Sequence, residues 1–307
     1  MRGLALCALG ALSGTIFLAC TPVAGDPQQP ATLDAGYLGL STGPLNAALL
    51  VDLPGDLLLR SADVSLSRTE LDHEINQLET IEGANQQLRD CPFYVLESMA
   101  VEALLRQEAR QWAQADADQR TALLDDYLQS IADAVRLDDE QVRAYYESNR
   151  SAFGGETYEQ VAAWLKSYLL GEKKQEAVDN HVNTLGERHR IELDAQFVAE
   201  AAKTELANPV AEARRSGLPS LVDFGSHGCV PCDMMTPILE ELAAALAGRC
   251  NVLFVPVREE PVLAARYGVR SIPVQVFFDA SGREVFRHVG FFPKDRIMSK
   301  LREMGVE

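Results

Sequence analysis

The stretch Leu221-Val222-Asp223-Phe224-Gly225-Ser226-His227-Gly228-Cys229-Val230-Pro231-Cys232 decides how this chain is read. Leu221 to Phe224 is a short apolar strand carrying one carboxylate. Gly225 to Gly228 breaks it, and the cysteine pair then opens a helix that runs to about Ala247. A C-x-x-C motif at that place is set up for thiol chemistry. The unpaired N–H groups and the positive end of the macrodipole at a helix N-terminus favour a thiolate. The thiolate is the nucleophile, and such sites pull a cysteine below its free pKa of about 8.5. Cys229, the first and more exposed, is the expected attacking sulfur. Cys232, one turn in, is expected to resolve the mixed disulfide. Val230 and Pro231 form the turn between them, and Pro231 stands where a missing N–H costs nothing. Zinc sites commonly draw four ligands from two such pairs. With one pair, no metal is expected, and no cofactor other than the redox-active disulfide itself.

The residues around this motif alternate in type. Phe197 to about Arg215 reads as a helix, Val252 to Val257 as a strand, Pro261 to Tyr267 as a short helix and Val274 to Phe278 as a strand. Asp279-Ala280-Ser281-Gly282 is a hairpin turn into Glu284 to Val289, and Lys294 to Met304 is a closing helix. That order is α/β. Leu221 to Phe224, the Cys229–Cys232 motif, Tyr267-Gly268-Val269-Arg270-Ser271-Ile272-Pro273, Phe277 to Gly282 and Gly290 together resemble thioredoxin-family proteins in order and spacing. The resemblance implies a thioredoxin fold over 196–307. It implies a cis peptide at Pro273, with Ile272 and Val274 beside it forming the edge that meets substrate, and Asp223 as a buried acid that takes the proton of Cys232. The chain departs from the family pattern at Gly228, where an aromatic is usual, at Asp233, where Lys is common, and at Val274, where Thr is frequent. The Lys that often accompanies the buried acid is missing, and Phe254 lies near its place. His227, two residues before Cys229, reads as a solvated loop residue, with stabilisation of the thiolate by its protonated ring as the alternative, and His288 reads as a structural strand residue.

Residues 61–195 read as helical. Ser67-Arg68-Thr69-Glu70 has capping-box spacing, as has Thr157 with Gln160, and Asp138 is placed as an N-cap. Helices are expected from about Pro92, from Arg120 to Val135, and from Asp138 through Tyr146. The clearest amphipathic pattern is Val161, Trp164, Leu165, Tyr168 and Leu169, whose aromatic stripe is most simply a core face. The run Asp139 to Phe153, followed by Val161-Ala162-Ala163-Trp164-Leu165 and then Arg190-Ile191-Glu192-Leu193, resembles the N-terminal helical module of SurA-type and PrsA-type periplasmic chaperones. No room is left for the parvulin domain that often interrupts it. The resemblance implies an all-α, chaperone-like domain without isomerase activity. A helical spacer or dimerisation module is the competing reading.

The fold class is thus two-domain α+β. Residues 1–19 read as a signal peptide, with Arg2 ahead of an apolar stretch, and Phe17-Leu18-Ala19-Cys20 resembles a bacterial lipobox with Cys20 as the lipidated first mature residue. Cleavage to a soluble secreted protein is the alternative. Residues 20–60, interrupted by prolines, read as a tether, in which Leu49-Leu50-Val51 and Leu57-Leu58-Leu59 are apolar enough to pack. Export puts the cysteines in an oxidising compartment: Cys7 leaves with the signal, and Cys91 and Cys250 are either buried thiols or a pair. Residues 61–195 carry 13 basic and 27 acidic side chains, which argues against nucleic acid as a partner. The expected function is an exported, periplasmic thiol–disulfide oxidoreductase, touching the membrane only through its lipid. Its partners are protein thiols and disulfides, or unfolded exported proteins, and a membrane electron donor or acceptor. A chaperone or disulfide isomerase is the alternative.

Overall fold

The computed structural model describes residues 30–78, 85–114, 123–148 and 150–307. The signal peptide and Cys20 lie outside them. In chain order the elements are α1 (Leu33–Gly36), β1 (Leu49–Val51), β2 (Leu57–Arg60), β3 (Ser65–Ser67), α2 (Arg68–Leu78), α3 (Asn85–Arg89), α4 (Pro92–Gln114), α5 (Leu123–Ala134), α6 (Asp139–Ser148), α7 (Tyr158–Asn183), α8 (Leu185–Arg188), β4 (Glu192–Asp194), α9 (Ala195–Glu205) and α10 (Pro209–Arg215). They continue with β5 (Ser220–Gly225), α11 (Val230–Ala245), β6 (Asn251–Pro256), α12 (Pro261–Arg266), β7 (Val274–Phe278), β8 (Glu284–Val289) and α13 (Lys294–Glu303). Among the described residues no helix is long and apolar enough to cross a membrane.

The N-terminal part is not all-α, and residues 31–60 are not a tether. A four-stranded sheet of order β1-β4-β2-β3 stands at its base. Strand β4 enters between β1 and β2, parallel to the first and antiparallel to the second. Leu33, Leu40, Leu45, Leu58 and Leu59 are buried in one core with Leu71, Phe93, Leu96 and Leu104. The leucines that made 45–59 apolar thus have a helical layer to pack on, and burying them removes apolar surface from water. Helix α9 belongs to this core as well, through Phe197, Val198, Ala201 and Ala202. The single helix expected over 197–215 is two. Asn208 caps the second by accepting from the Ala211 N–H at 2.9 Å, and Pro209 opens it.

The expected caps are present. The Ser67 hydroxyl accepts from the Glu70 N–H at 3.2 Å while the Glu70 carboxylate accepts from the Ser67 N–H at 2.8 Å. Asp138 accepts from the Gln141 N–H, and Gln160 accepts from the Thr157 N–H. Helices α4, α5, α7 and α8 meet at Glu108, which is bonded to His181, Arg188, His189 and Tyr127. Burial opposes its charge, but these donors overrule it and hold the carboxyl down at about 2. The aromatic stripe of α7 is not a core face. Val161 and Leu165 are buried with Val142 and Tyr146, whereas Trp164 is 61% exposed and stacks on exposed Tyr168 at 5.6 Å. The apolar stripe of the 26-residue helix is wider than the surface α6 offers it.

The C-terminal sheet has the order β6-β5-β7-β8, with β5 parallel to β6 and antiparallel to β7. Alternation splits its side chains between two cores. Leu221 and Phe277 face α11 and α13 with Met235, Leu239, Ile297 and Leu301. Val222, Phe224, Val276 and Phe278 face the other side with Val210, Leu263 and Tyr267. The buried Arg214 of α10 donates to the Gly282 carbonyl at 2.8 Å and lies over the Phe278 ring. Gly282 has φ +78°, and a Cβ there would meet the Arg214 carbonyl oxygen at 2.2 Å and Leu38 at 2.7 Å. Gly282→Ala is therefore expected to destabilise the protein by about 2 kcal/mol or more. Urea unfolding checks this; an unchanged midpoint would contradict this packing of the hairpin on Arg214 and Leu38.

Candidate functional site

The site is built at the C-terminal end of β5. The strand is buried throughout and delivers Asp223, then ends at Gly225. The connecting loop turns at Gly228, whose φ of +79° suits glycine. Its N–H donates to Asp233 Oδ1 at 3.3 Å, so the acid standing where Lys is common fastens the loop instead. Cys229 is the N-cap of α11, with Val230 and Pro231 in the first turn. Cys229 and Cys232 form a disulfide with Cα atoms 5.2 Å apart. Cys229 is partly exposed, Cys232 only 2% so, and Val230 stands out into solvent.

The Ile272–Pro273 peptide is cis. Strand β7 begins directly after it and pairs with β5 so that Val274 lies opposite Phe224 and Gln275 opposite Asp223. Pro273 therefore stands at the end of β5 where the cysteine loop departs. Its carbonyl accepts from the Gly290 N–H at 2.8 Å. Ile272 is partly exposed, but the Val274 side chain is buried with Phe224 and Val276, which leaves it a packing role.

Asp223 is fully buried. Gln275, which the sequence reading missed, donates from Nε2 to Asp223 Oδ1 at 2.6 Å. Its signal was a lone polar residue in the otherwise apolar run from Val274 to Phe278. The other carboxylate oxygen has no hydrogen-bond partner among the described residues. Phe254 lies beside Asp223 in the register of β6. Burial pushes the carboxyl up to about 6, and the Gln275 bond only partly opposes this. A Cβ on Gly225 would lie 3.3 Å from Asp223 Oδ2 and 3.4 Å from the Cβ of Cys232. The Phe254 ring would be closer still, at 2.9 Å, so only a bare glycine lets the ring, the acid and the inner cysteine crowd together here.

The remaining candidates lie apart from this chemistry. His227 is exposed with its ring tilted against that of Phe254 at 5.5 Å, and His288 stacks on Phe292 at 4.2 Å. Cys91 and Cys250 are both free, so they do not pair, and burial pushes each thiol up to about 11. A thiol so raised is a poor nucleophile near neutrality. Among the described residues no group of three or more His, Cys, Asp or Glu side chains is arranged to hold a metal ion.

Comparison with known proteins agrees with the geometry. The family model for thioredoxin-like domains matches residues 206–305. The thioredoxins of Staphylococcus aureus strains MW2 and COL are each 44% identical over 81 residues, which is 26% of this chain and 77% of theirs. A crystal structure of chloroplastic thioredoxin z matches at 26% identity over 31% of this chain and 86% of its own, with a TM-score of 0.29. With a C-x-x-C disulfide at a helix N-terminus, the family-model match and the staphylococcal relatives at 44% identity, the chain belongs to the thioredoxin family, and the redox chemistry of its C-terminal third is thiol–disulfide exchange.

Proposed function

We propose that the protein is an exported thiol–disulfide oxidoreductase acting on protein substrates through Cys229 and Cys232. The observation that carries this reading is the disulfide at the N-terminus of α11, next to cis-Pro273 and above the buried Asp223. In the reducing direction the Cys229 thiolate attacks one sulfur of a substrate disulfide. That bond breaks, a mixed disulfide forms, and the second substrate sulfur leaves as a thiolate. Cys232 passes its proton to Asp223 and attacks Cys229 Sγ. The internal disulfide closes, and the first substrate sulfur leaves as a thiolate. Two electrons have moved to the substrate, and a membrane-side dithiol donor must return them. In the oxidising direction each step reverses and an acceptor takes the electrons. Ile272 and Pro273 offer the backbone edge along which the substrate peptide lies.

Export and anchoring are part of the same proposal. Cleavage before Cys20 and its lipidation would hold the protein at the periplasmic face of a membrane, supported by the apolar stretch and the small-residue-then-Cys pattern. A second reading has its own observation. The stacked, exposed Trp164 and Tyr168, with Tyr145 40% exposed, offer apolar surface on the helical part to unfolded exported chains.

The reduction potential of the Cys229–Cys232 couple in glutathione buffers tests the leading reading. About −270 mV marks a reductase, and about −120 to −180 mV an oxidase or isomerase; absence of a reversible couple rules the reading out. Cys229→Ser should abolish exchange and leave any suppression of client aggregation intact, whereas Trp164→Ala with Tyr168→Ala should do the opposite. If both activities fall together in Cys229→Ser, two separate functions are excluded.

Asp223 yields a pH signature. Its folded pKa, near 6, lies above the unfolded value near 3.8, so the native state holds the proton more tightly. Stability contributed by the neutral acid is present below pH 4 and lost as pH rises through 6. Asp223→Asn should thus be more stable than the parent at pH 7.5, on the order of 2–3 kcal/mol, with the gap closing by pH 4. The same variant should resolve mixed disulfides about 100-fold more slowly at pH 7.5, the loss of a general base. Denaturation at the two pH values and stopped-flow resolution kinetics check the pair. Equal stability at both values would remove the argument from burial.

A further inference from the structure

The N-terminal part grips the segment that leads into the cis-proline, and does so at three successive points. At the start of α12, Gln87 Nε2 donates to the Glu259 carbonyl at 2.7 Å. At its end, Arg266 is buried and paired with the equally buried Glu205. Its Nη1 also donates to the Glu205 carbonyl, its guanidinium lies over the Tyr94 ring, and its own carbonyl accepts from Thr42 Oγ1 at 2.5 Å. Beyond it, Arg270 pairs with Asp179 of α7 at 2.9 Å, two residues before Ile272. Glu205 is in turn fixed from its own side, since it accepts from the Phe93 N–H at 2.6 Å and the Tyr94 N–H at 3.3 Å, both at the start of α4.

These contacts differ in weight. The Asp179–Arg270 pair is exposed, and such pairs contribute little on their own. The Glu205–Arg266 pair is out of water. Buried pairs of this kind are poor stabilisers compared with apolar packing but strong constraints on geometry, because neither charge can leave its partner. Glu97 is buried as well, which raises its pKa, and its carboxyl feels the charges of both, Arg266 lowering the pKa and Glu205 raising it. Arg266 is thus a cation of the redox domain held in an acidic socket of the N-terminal part. Within the redox domain the chain from Arg266 to Pro273 is braced against β8 and the residue after it, the Tyr267 carbonyl accepting from Arg287 at 2.7 Å and the Pro273 carbonyl from Gly290, so Arg266 is the end of a braced segment.

We propose that Glu205 is a positioning residue for the redox site: by holding Arg266 it fixes α12 and, through it, the 267–273 loop whose edge meets protein substrates. This deepens the proposed function and rests on it. A small disulfide needs only the Cys229–Cys232 pair, whereas a protein substrate must also lie along Ile272 and Pro273, so the two substrates separate positioning from chemistry.

The test compares the full chain with Glu205→Gln, each reduced and then oxidised by insulin or by glutathione disulfide. The variant is expected to lose roughly threefold to tenfold in kcat/KM toward insulin, mainly through KM, the range of energetic coupling between packed elements. Its rate with glutathione disulfide should stay within about twofold of the parent. A lowered Tm with both rates unchanged would show a merely structural pair and overturn the inference, as would equal loss on both substrates. Should Glu205→Gln not fold, Gln87→Ala at the other end of α12 decides: a selective loss on insulin supports the grip, and no loss overturns it. A parent chain inert toward both disulfides would overturn the redox reading, and this inference with it.

Discussion

The pairing of β5 with β7 is the constraint on which the redox domain depends. Its register sets Phe224 opposite Val274 and Asp223 opposite Gln275. That single alignment puts the cis-proline at the mouth of the cysteine loop and gives the buried acid its hydrogen bond from Gln275. Because side chains alternate across a strand, a slip of one residue would turn Gln275 toward the opposite face and leave Asp223 against an apolar side chain. The two cores hold the register from both sides. Leu221 and Phe277 cannot exchange faces with Val222 and Val276 without exposing one set and crowding the other. Packing energy over the whole sheet is in this way converted into the placement of a few reactive atoms.

Three carboxylates, one partly and two fully withdrawn from water, show how differently the fold treats charge. Glu108 is surrounded by an arginine, two histidines and a tyrosine hydroxyl, and it remains ionised far into acid. Glu205 faces a guanidinium and two backbone N–H groups, though burial still raises it above an exposed glutamate. Among the described residues Asp223 has a neutral amide as its partner, which supplies one hydrogen bond and no charge, so burial dominates and its proton is held to about pH 6. The first two arrangements fasten helices together. The third leaves a proton that can come and go near neutrality, at a point where a bare glycine lets the acid lie close to the inner cysteine. Replacing the family's usual lysine by the neighbourhood of Phe254 removes a cation and sharpens that distinction.

The C-terminal third was legible almost element by element, because its signals are local: a polar loop after an apolar strand, a cysteine pair at a helix start, a hairpin turn at Asp279–Gly282. The helix caps at Ser67, Asp138 and Thr157 were legible for the same reason. What escaped was non-local. Strands β1 and β4 are three residues each, too short to show a period, and they recognise each other across most of the chain. A proline-broken, leucine-rich stretch such as 45–59 carries no sign that a distant strand will complete its sheet. Periodicity showed that Trp164 and Leu165 belong to one apolar sector of α7, but the extent of the neighbouring helix decides which is covered. Gln275 acquires its meaning only from the register with Asp223.

The boundary between the two parts follows from these contacts. Helix α9 contributes its apolar face to the N-terminal core, α10 contributes Val210 and Arg214 to the redox domain, and Asn208 and Pro209 make the break between them. Glu205 is the last residue of α9, so the carboxylate that Arg266 requires lies on the far side of the break. A chain cut there would keep the strands, the cysteines and the cis-proline loop, yet it would leave a buried cation without its anion and α12 without its outer contacts. An unpaired buried charge is costly, and the least costly response is for Arg266 to swing out to water and carry the loop with it. The helical part is therefore better understood as part of the redox site's scaffold than as an appended module.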